Sequence, residues 1–161
     1  MARAFSCSEA VPAAAYSHLS DTLGLDEFEA FLGDPTARTK IDYFVNQTDP
    51  IVSLGVFSGA GEGVSLFSSF AALLSFNLDG RFKGLSQIIS WSALDEQQHS
   101  DGGCALFSYL DEEGLVSDDQ KRQIVEGFEA VLDNEDHFLE RIFNGYSLGC
   151  VERDDIWNYI R

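Results

Sequence analysis

Residues 51–76 read IVSLGVFSGAGEGVSLFSSFAALLSF, and Glu62 is the single ionisable residue among them. A proline-free run this apolar predicts a helix that is buried on most of its sides. Helical spacing aligns Glu62 with Leu66, Ser69 and Leu73, so its carboxylate is expected to face the interior. Burying an unpaired charge is unfavourable, so this glutamate needs a partner. The plainer interpretation is a glutamate bonded to a serine.

A second cluster of ionisable residues lies at 95–99, which read DEQQH. Glu96 and His99 are three residues apart, so a helix presents both on one face. An antiparallel hairpin would bring Glu62 and this pair to one centre, as in dinuclear carboxylate bundles. Carboxylate oxygen and imidazole nitrogen are good ligands for iron or manganese. A surface pair or a hydrogen-bonded core histidine is the alternative.

The rest of the chain also shows helical patterns, separated by short breaks. Pro12 is expected to kink or break the first helix. Asp34 and Ser117 stand where helices should begin, and Thr48-Asp49-Pro50 interrupts the helical pattern between them. Short connections and long helices indicate one all-α domain, a helix bundle covering residues 1–161. Both chain ends look like cuts through a larger bundle. The predicted helices are 2–23, 27–32, 35–47, 51–76, 85–110, 118–144 and 152–161.

Composition excludes several classes of function. With 10 basic and 27 acidic side chains in 161 residues, the formal charge is −17. A chain this acidic lacks the basic footprint of a nucleic-acid-binding protein and is repelled by anionic lipid. Its three cysteines are widely spaced, which favours a reducing cytoplasm. We expect neither a signal peptide nor a membrane-spanning helix.

Other polar groups have ordinary interpretations. Asp133 and His137 are four residues apart, with Glu135 and Asp136 beside them, and such a run usually forms a solvated charged face. His18 is expected on the surface. None of these groups is expected to take part in a site.

Glycines between residues 55 and 63 do not form a phosphate-binding loop. The Lys-Ser/Thr pair that follows the glycines of such a loop is missing here. We instead expect Gly59 and Gly61 to permit close packing between helices.

Five blocks of sequence, in this order, resemble the small subunit of class I ribonucleotide reductase. Together they are far more specific than one Glu-x-x-His motif. The resemblance implies a ferritin-like helix bundle and an oxidoreductase component. The blocks are FSCSEAVPAAAYSH (5–18), EGVSLFSSFAALLSF (62–76), GLSQII (84–89), DEQQH (95–99) and WNYIR (157–161).

The resemblance also implies roles for individual residues. Tyr16 stands where the family carries its radical tyrosine, and Asp95 matches the aspartate that relays the radical toward the large subunit. Phe70 corresponds to the apolar pocket around the radical. A pocket of this kind keeps out the water and reductants that would destroy a tyrosyl radical. The implied metal ligands are Glu9, Glu62, Glu96 and His99.

Departures from the family pattern shape the functional hypothesis. Pro12 stands where the first Glu-x-x-His motif has its histidine, and Leu94 where many members have an arginine. The upstream helix with an aspartate ligand and the downstream docking tail are missing. We therefore expect a split or reduced small subunit, such as a phage might encode. It would hold iron or manganese. It would pair with a complementary small-subunit polypeptide or with a second copy of itself, and it would act with a large subunit in the cytoplasm.

Three other hypotheses remain open at this stage. Pro12 favours a degenerate structural or regulatory subunit that keeps the fold without the radical chemistry. Another ferritin-like oxidase with a remodelled metal site is the second, although the spacing of Tyr16 argues against it. The third is an acidic helical binding protein without a site, which would leave the buried Glu62 unexplained.

Overall fold

The computed structural model describes residues 10–24, 33–149 and 151–161. Within these ranges the chain folds into helices joined by short connections, which confirms the predicted all-α class. A π-helical stretch, Phe57–Ser65, connects two of the helices without a break, and we call it the π segment. The helices are α1 (Ala10–Leu23), α2 (Pro35–Val45), α3 (Pro50–Val56), α4 (Leu66–Leu78), α5 (Lys83–Glu112), α6 (Asp118–Phe143) and α7 (Arg153–Ile160).

Side-chain caps start three of these helices, at the predicted Asp34 and Ser117 and at Asp49, which was predicted only as part of a break. The Asp34 and Asp49 carboxylates each accept two backbone N–H bonds from the first turns of α2 and α3. Ser117 and Gln120 form a reciprocal capping box at the start of α6. These short-range signals determine where the helices begin, so the sequence located them within a residue or two.

Helix α1 corrects one prediction and leaves part of another outside the description. The helix runs from Ala10 through Pro12 without the predicted break and ends before Gly24, whose φ is +65°. Pro12 lies within the described part of this helix, so this proline does not end the helix there. Residues 2–9 of the predicted first helix, and the predicted helix 27–32, lie outside the described residues.

Two long stretches form the centre of the bundle as an antiparallel hairpin. Ser58 of the π segment lies against Gly103 of α5, and Phe70 of α4 shares a core cluster with Ile89 of α5. The contacts pair earlier residues of one stretch with later residues of the other, which is the predicted hairpin. The turn is shorter than the predicted 77–84, because α4 continues to Leu78 and α5 begins at Lys83.

Glycines bring the π segment and its neighbours close together, as predicted. A Cβ added at Gly59 would lie 2.3 Å from Phe128 Cζ of α6, and one at Gly61 would lie 3.2 Å from Phe44 Cε1 of α2. The first distance is far below van der Waals contact and the second is tight. Both positions therefore allow ring packing directly onto the backbone.

Among the described residues, the core divides into three apolar clusters around the central hairpin. Val56 and Val131 join α3 to α6, and Leu139 and Ile156 join α6 to α7. The third cluster, around Ile89, joins α4 to α5. The central hairpin is thus enclosed by α6 on one side and by α1 and α7 near its ends.

The stretch Pro50–Leu78 is, by length and composition alone, apolar enough to cross a membrane. Passing this test does not overturn the prediction that no helix spans a membrane, because a single such stretch is weak evidence. The same stretch carries Glu62 and packs against α5 and α6. A buried core helix of a bundle has these properties too, so the test does not separate the two.

Candidate metal centre

Glu62, Glu96 and His99 converge at the middle of the hairpin, and we call them the EEH cluster. His99 Nδ1 lies 3.9 Å from Glu62 Oε1 and 3.6 Å from Glu96 Oε2. One potential ligand atom from each of the three lies within 4.8 Å of the others. Glu62 comes from the π segment, whereas Glu96 and His99 lie one turn apart on α5. The predicted meeting of these three residues is confirmed.

The EEH cluster has the chemistry and spacing of a transition-metal site. A metal bonded at about 2.1 Å to each ligand holds ligand atoms about 3–4 Å apart. The distances in the cluster are close to that range, and the donors suit iron or manganese. The three side chains are only 6–12% exposed. Two carboxylates brought together at such low exposure repel each other, and a bound cation would offset that repulsion.

Asp95 lies on the far side of the His99 ring. Its Oδ1 is 3.8 Å from His99 Nε2, while Nδ1 faces the two glutamates. The distance is longer than a hydrogen bond. Asp95 is 32% exposed, more than any member of the cluster, so it lies between the site and the surface.

Tyr16 lies close to the cluster and is held by a residue that the sequence did not single out. Its hydroxyl donates a hydrogen bond of 2.8 Å to Ser92 Oγ. Burial raises the pKa of Tyr16, the Ser92 hydrogen bond lowers it, and the charge of Glu96 raises it. Ser92 is four residues before Glu96 on α5, and this spacing was the signal available in the sequence.

Phe70 belongs to the apolar surroundings of Tyr16. It is 7% exposed and forms a cluster with Leu85 and Ile89, against which Tyr16 packs. Glu9, the remaining implied ligand, lies outside the described residues.

The π segment approaches α5 unusually closely beside the cluster. A Cβ at Gly103 would lie 1.9 Å from Ser58 Oγ, and one at Gly63 would lie 3.2 Å from Ser100 Oγ. Gly103 is one turn beyond His99, and Ser58 is one turn before Glu62. The two glycines therefore set the separation across which the carboxylates and the imidazole meet.

The charged run on α6 differs from its predicted surface role at one residue. Asp133 and His137 are a solvent-exposed pair 3.8 Å apart, as expected, and His18 is exposed. Glu135, in contrast, is completely buried. The predicted surface position of Glu135 is therefore wrong: it lies four residues from both Val131 and Leu139, and this helical spacing is the sequence signal for the core face.

Comparison with known proteins identifies relatives of this sequence. The family model described as ribonucleotide reductase, small chain, matches residues 1–161. The chain is 33% identical over 94% of its length to the probable ribonucleoside-diphosphate reductase small subunit 376L of Invertebrate iridescent virus 6. It is 29% identical over 98% of its length to the corresponding probable small subunit 048L of Invertebrate iridescent virus 3. The match covers 49% of each relative, so the chain spans about half the length of these curated relatives.

Proposed function

The chain belongs to the ribonucleotide reductase small-chain family, and we propose that it forms the radical-generating half of a small subunit. In this role it supports the reduction of ribonucleotides to deoxyribonucleotides. The convergence of Glu62, Glu96 and His99 at the buried centre of the hairpin is the observation that carries the proposal.

The EEH cluster would hold iron or manganese. Bound there, the metal supplies the one-electron oxidising power that the family uses with dioxygen. The Glu62 and Glu96 carboxylates would lower the net charge of the site, and His99 would bind through Nδ1, the nitrogen that faces them. Glu9 is a further proposed ligand. A second metal of a dinuclear centre would need ligands beyond these, because Pro12 cannot coordinate.

Tyr16 is the proposed radical residue. The phenol is protonated at physiological pH, and its raised pKa favours that form, so oxidation to a neutral radical would require loss of the proton as well as of the electron. Ser92 accepts the hydrogen bond of the phenol, and the cluster around Phe70 would limit the access of water to the half-buried ring. This environment would protect a neutral tyrosyl radical from reductants.

Asp95 is proposed to connect the site to the large subunit. It lies beside His99 Nε2 and is more exposed than the EEH cluster. A carboxylate there would attract the Nε2 side of the imidazole and help to orient the ring, as neighbouring carboxylates do at metal sites. The route of the radical would then leave the bundle along α5.

A complementary chain is the first proposed partner, because Pro12 stands where the family has a histidine ligand and cannot coordinate a metal. We propose that a complementary small-subunit polypeptide, or a second copy of this chain, supplies the missing ligands, and that a large subunit carries out the reduction. The proposed compartment is the cytoplasm, which would be that of the host cell if the gene is viral. Viral origin of the named relatives supports this setting.

Native mass spectrometry of the protein from its source, with metals retained, tests the assembly. A complex with a second polypeptide and one or two metal ions supports the proposal. A metal-free monomer or homodimer contradicts it, and favours the degenerate structural subunit that Pro12 suggests.

Manganese(II) titration followed by electron paramagnetic resonance tests the site itself. The wild-type chain should bind the ion, and His99→Ala should lose most of that affinity because one ligand is removed. His137→Ala is the matched control, since His137 is an exposed histidine on another helix. Equal binding by the two variants would show that the EEH cluster is not the site.

A further inference from the structure

A buried ion pair lies beside the π segment, outside the candidate metal centre. Glu135 of α6 is fully buried, and its Oε1 is 2.8 Å from Lys40 Nζ of α2. Ser65 Oγ donates a 2.7 Å hydrogen bond to the same oxygen, and Ser68 Oγ donates to the other oxygen. The carboxylate thus has donors from three different parts of the fold.

Lys40 also reaches the backbone of the π segment. Its Nζ donates to the Ser65 carbonyl oxygen at 3.3 Å and lies 4.0 Å from the centre of the Phe138 ring. The Lys40 side chain is 15% exposed. Ser65 is therefore bound twice, through its hydroxyl by Glu135 and through its carbonyl by Lys40.

Ser65 is where the π-helical register ends. The N–H of the next residue, Leu66, donates to the Gly61 carbonyl five residues earlier, which is the wide hydrogen bond of a π-helix. Glu62 lies within that loop of backbone, three residues before Ser65. Any change of register at Ser65 would rotate Glu62 relative to α5.

We propose that Lys40 and Glu135 are positioning residues that hold the end of the π segment in register and thereby direct Glu62 toward Glu96 and His99. This inference rests on the proposed metal-binding function of those three residues. A buried ion pair is weak evidence of a role in stability, because apolar side chains of similar volume can replace such a pair without loss. The contacts to Ser65, which apolar side chains could not make, are the reason for assigning a positioning role.

The test compares manganese(II) affinity with stability in two variants of the full chain. Lys40→Met leaves Glu135 buried without its cation and is expected to destabilise the fold. The double variant Lys40→Met/Glu135→Leu replaces both charges and should regain most of the lost stability. If the pair positions Glu62, the double variant still binds manganese about tenfold more weakly than wild type, as is typical when groups that orient ligands are removed. Lys121→Met is the control, since Lys121 pairs with Asp111 at 2.6 Å on the surface.

Hydrogen exchange provides a second readout that does not depend on metal. Amides in residues 57–66 should exchange faster in the double variant than in wild type, while those of α6 remain protected. A double variant as stable as wild type, with unchanged manganese affinity and unchanged exchange, would overturn the inference. Failure of wild type to bind manganese would count against the proposed function, and the exchange data would still decide whether the pair holds the π segment.

Discussion

Substituting Gly103 by alanine should separate α5 from the π segment. The new Cβ would lie 1.9 Å from Ser58 Oγ and 2.5 Å from Ser58 Cβ. Rotation about χ1 can move the hydroxyl of Ser58 but not its Cβ, and this residue is only 4% exposed. Since carbon atoms in contact lie about 3.5–4.0 Å apart, the two backbones must move apart by about 1.0–1.5 Å.

The expected change in stability is a difference of two terms. Overpacking of this kind costs about 1–3 kcal/mol. Alanine in place of glycine in a helix interior returns about 1 kcal/mol. The net loss in the free energy of unfolding is therefore about 0–2 kcal/mol, measurable by urea denaturation followed by circular dichroism.

Metal binding should report the same displacement more sensitively. Ser58 and Glu62 lie one turn apart, so moving one moves the other away from His99. We expect manganese(II) affinity to fall at least about tenfold. Gly84→Ala is the control on the same helix, because a Cβ there meets nothing within 4 Å. If Gly103→Ala were stabilised by the full helix-propensity gain and bound manganese normally, the close approach would have no structural importance.

Three further predictions concern single side chains. Ser92→Ala should raise the pKa of Tyr16 further, because it removes the hydrogen bond that lowers this pKa. Absorbance titration of the phenolate measures the change, and Tyr16→Phe identifies which part of the signal belongs to Tyr16. The folded chain holds the phenol proton of Tyr16 more tightly than the unfolded chain does. The contribution of Tyr16 to the free energy of unfolding is therefore complete below about pH 10 and is lost as the pH rises through the pKa of the folded state. Hydrogen bonds lower the pKa of Asp49, the bond from Gln120 most and a backbone N–H bond next. The contribution of Asp49 to the free energy of unfolding should therefore be complete above about pH 4 and lost as the pH falls through the lowered pKa. Asp49→Asn should therefore differ from wild type in urea at pH 7 and converge with it in acid, whereas a constant difference would contradict this reasoning. Leu139→Ala, at a fully buried position, should cost about 2–5 kcal/mol in thermal or urea unfolding, and a loss below about 1 kcal/mol would show that the site collapses freely.

Local signals in the sequence were sufficient for most of the fold. Capping at Asp34 and Ser117 acts over a few residues, so the starts of α2 and α6 could be placed from sequence. The meeting of Glu62 with Glu96 and His99 was also predictable, because helical spacing and one hairpin bring them together. The resemblance to the reductase small subunit is confirmed by the family match over residues 1–161.

Features that depend on contacts between distant residues could not be predicted in the same way. The π segment has no distinctive spacing, since its register is supported by groups on other helices, among them Lys40 and Glu135. Ser92 lies one turn before Glu96 on α5, yet its bond to Tyr16 depends on how α1 packs against α5. The acidic neighbours of Glu135 predict a surface position, whereas its spacing from Val131 and Leu139 places it on the core face.

The π segment has a consequence for how this protein can be compared with its relatives. A stretch of π-helix is equivalent to an α-helix carrying an extra residue, so α3 and α4 are out of phase with each other along one continuous axis. Deleting one residue within 57–65 would restore the ordinary phase and turn Glu62 or its neighbours by about 100°. In an alignment, a relative that lacks one residue at this point would keep the bundle but could not place a carboxylate where Glu62 stands. A relative without that gap could form the carboxylate site.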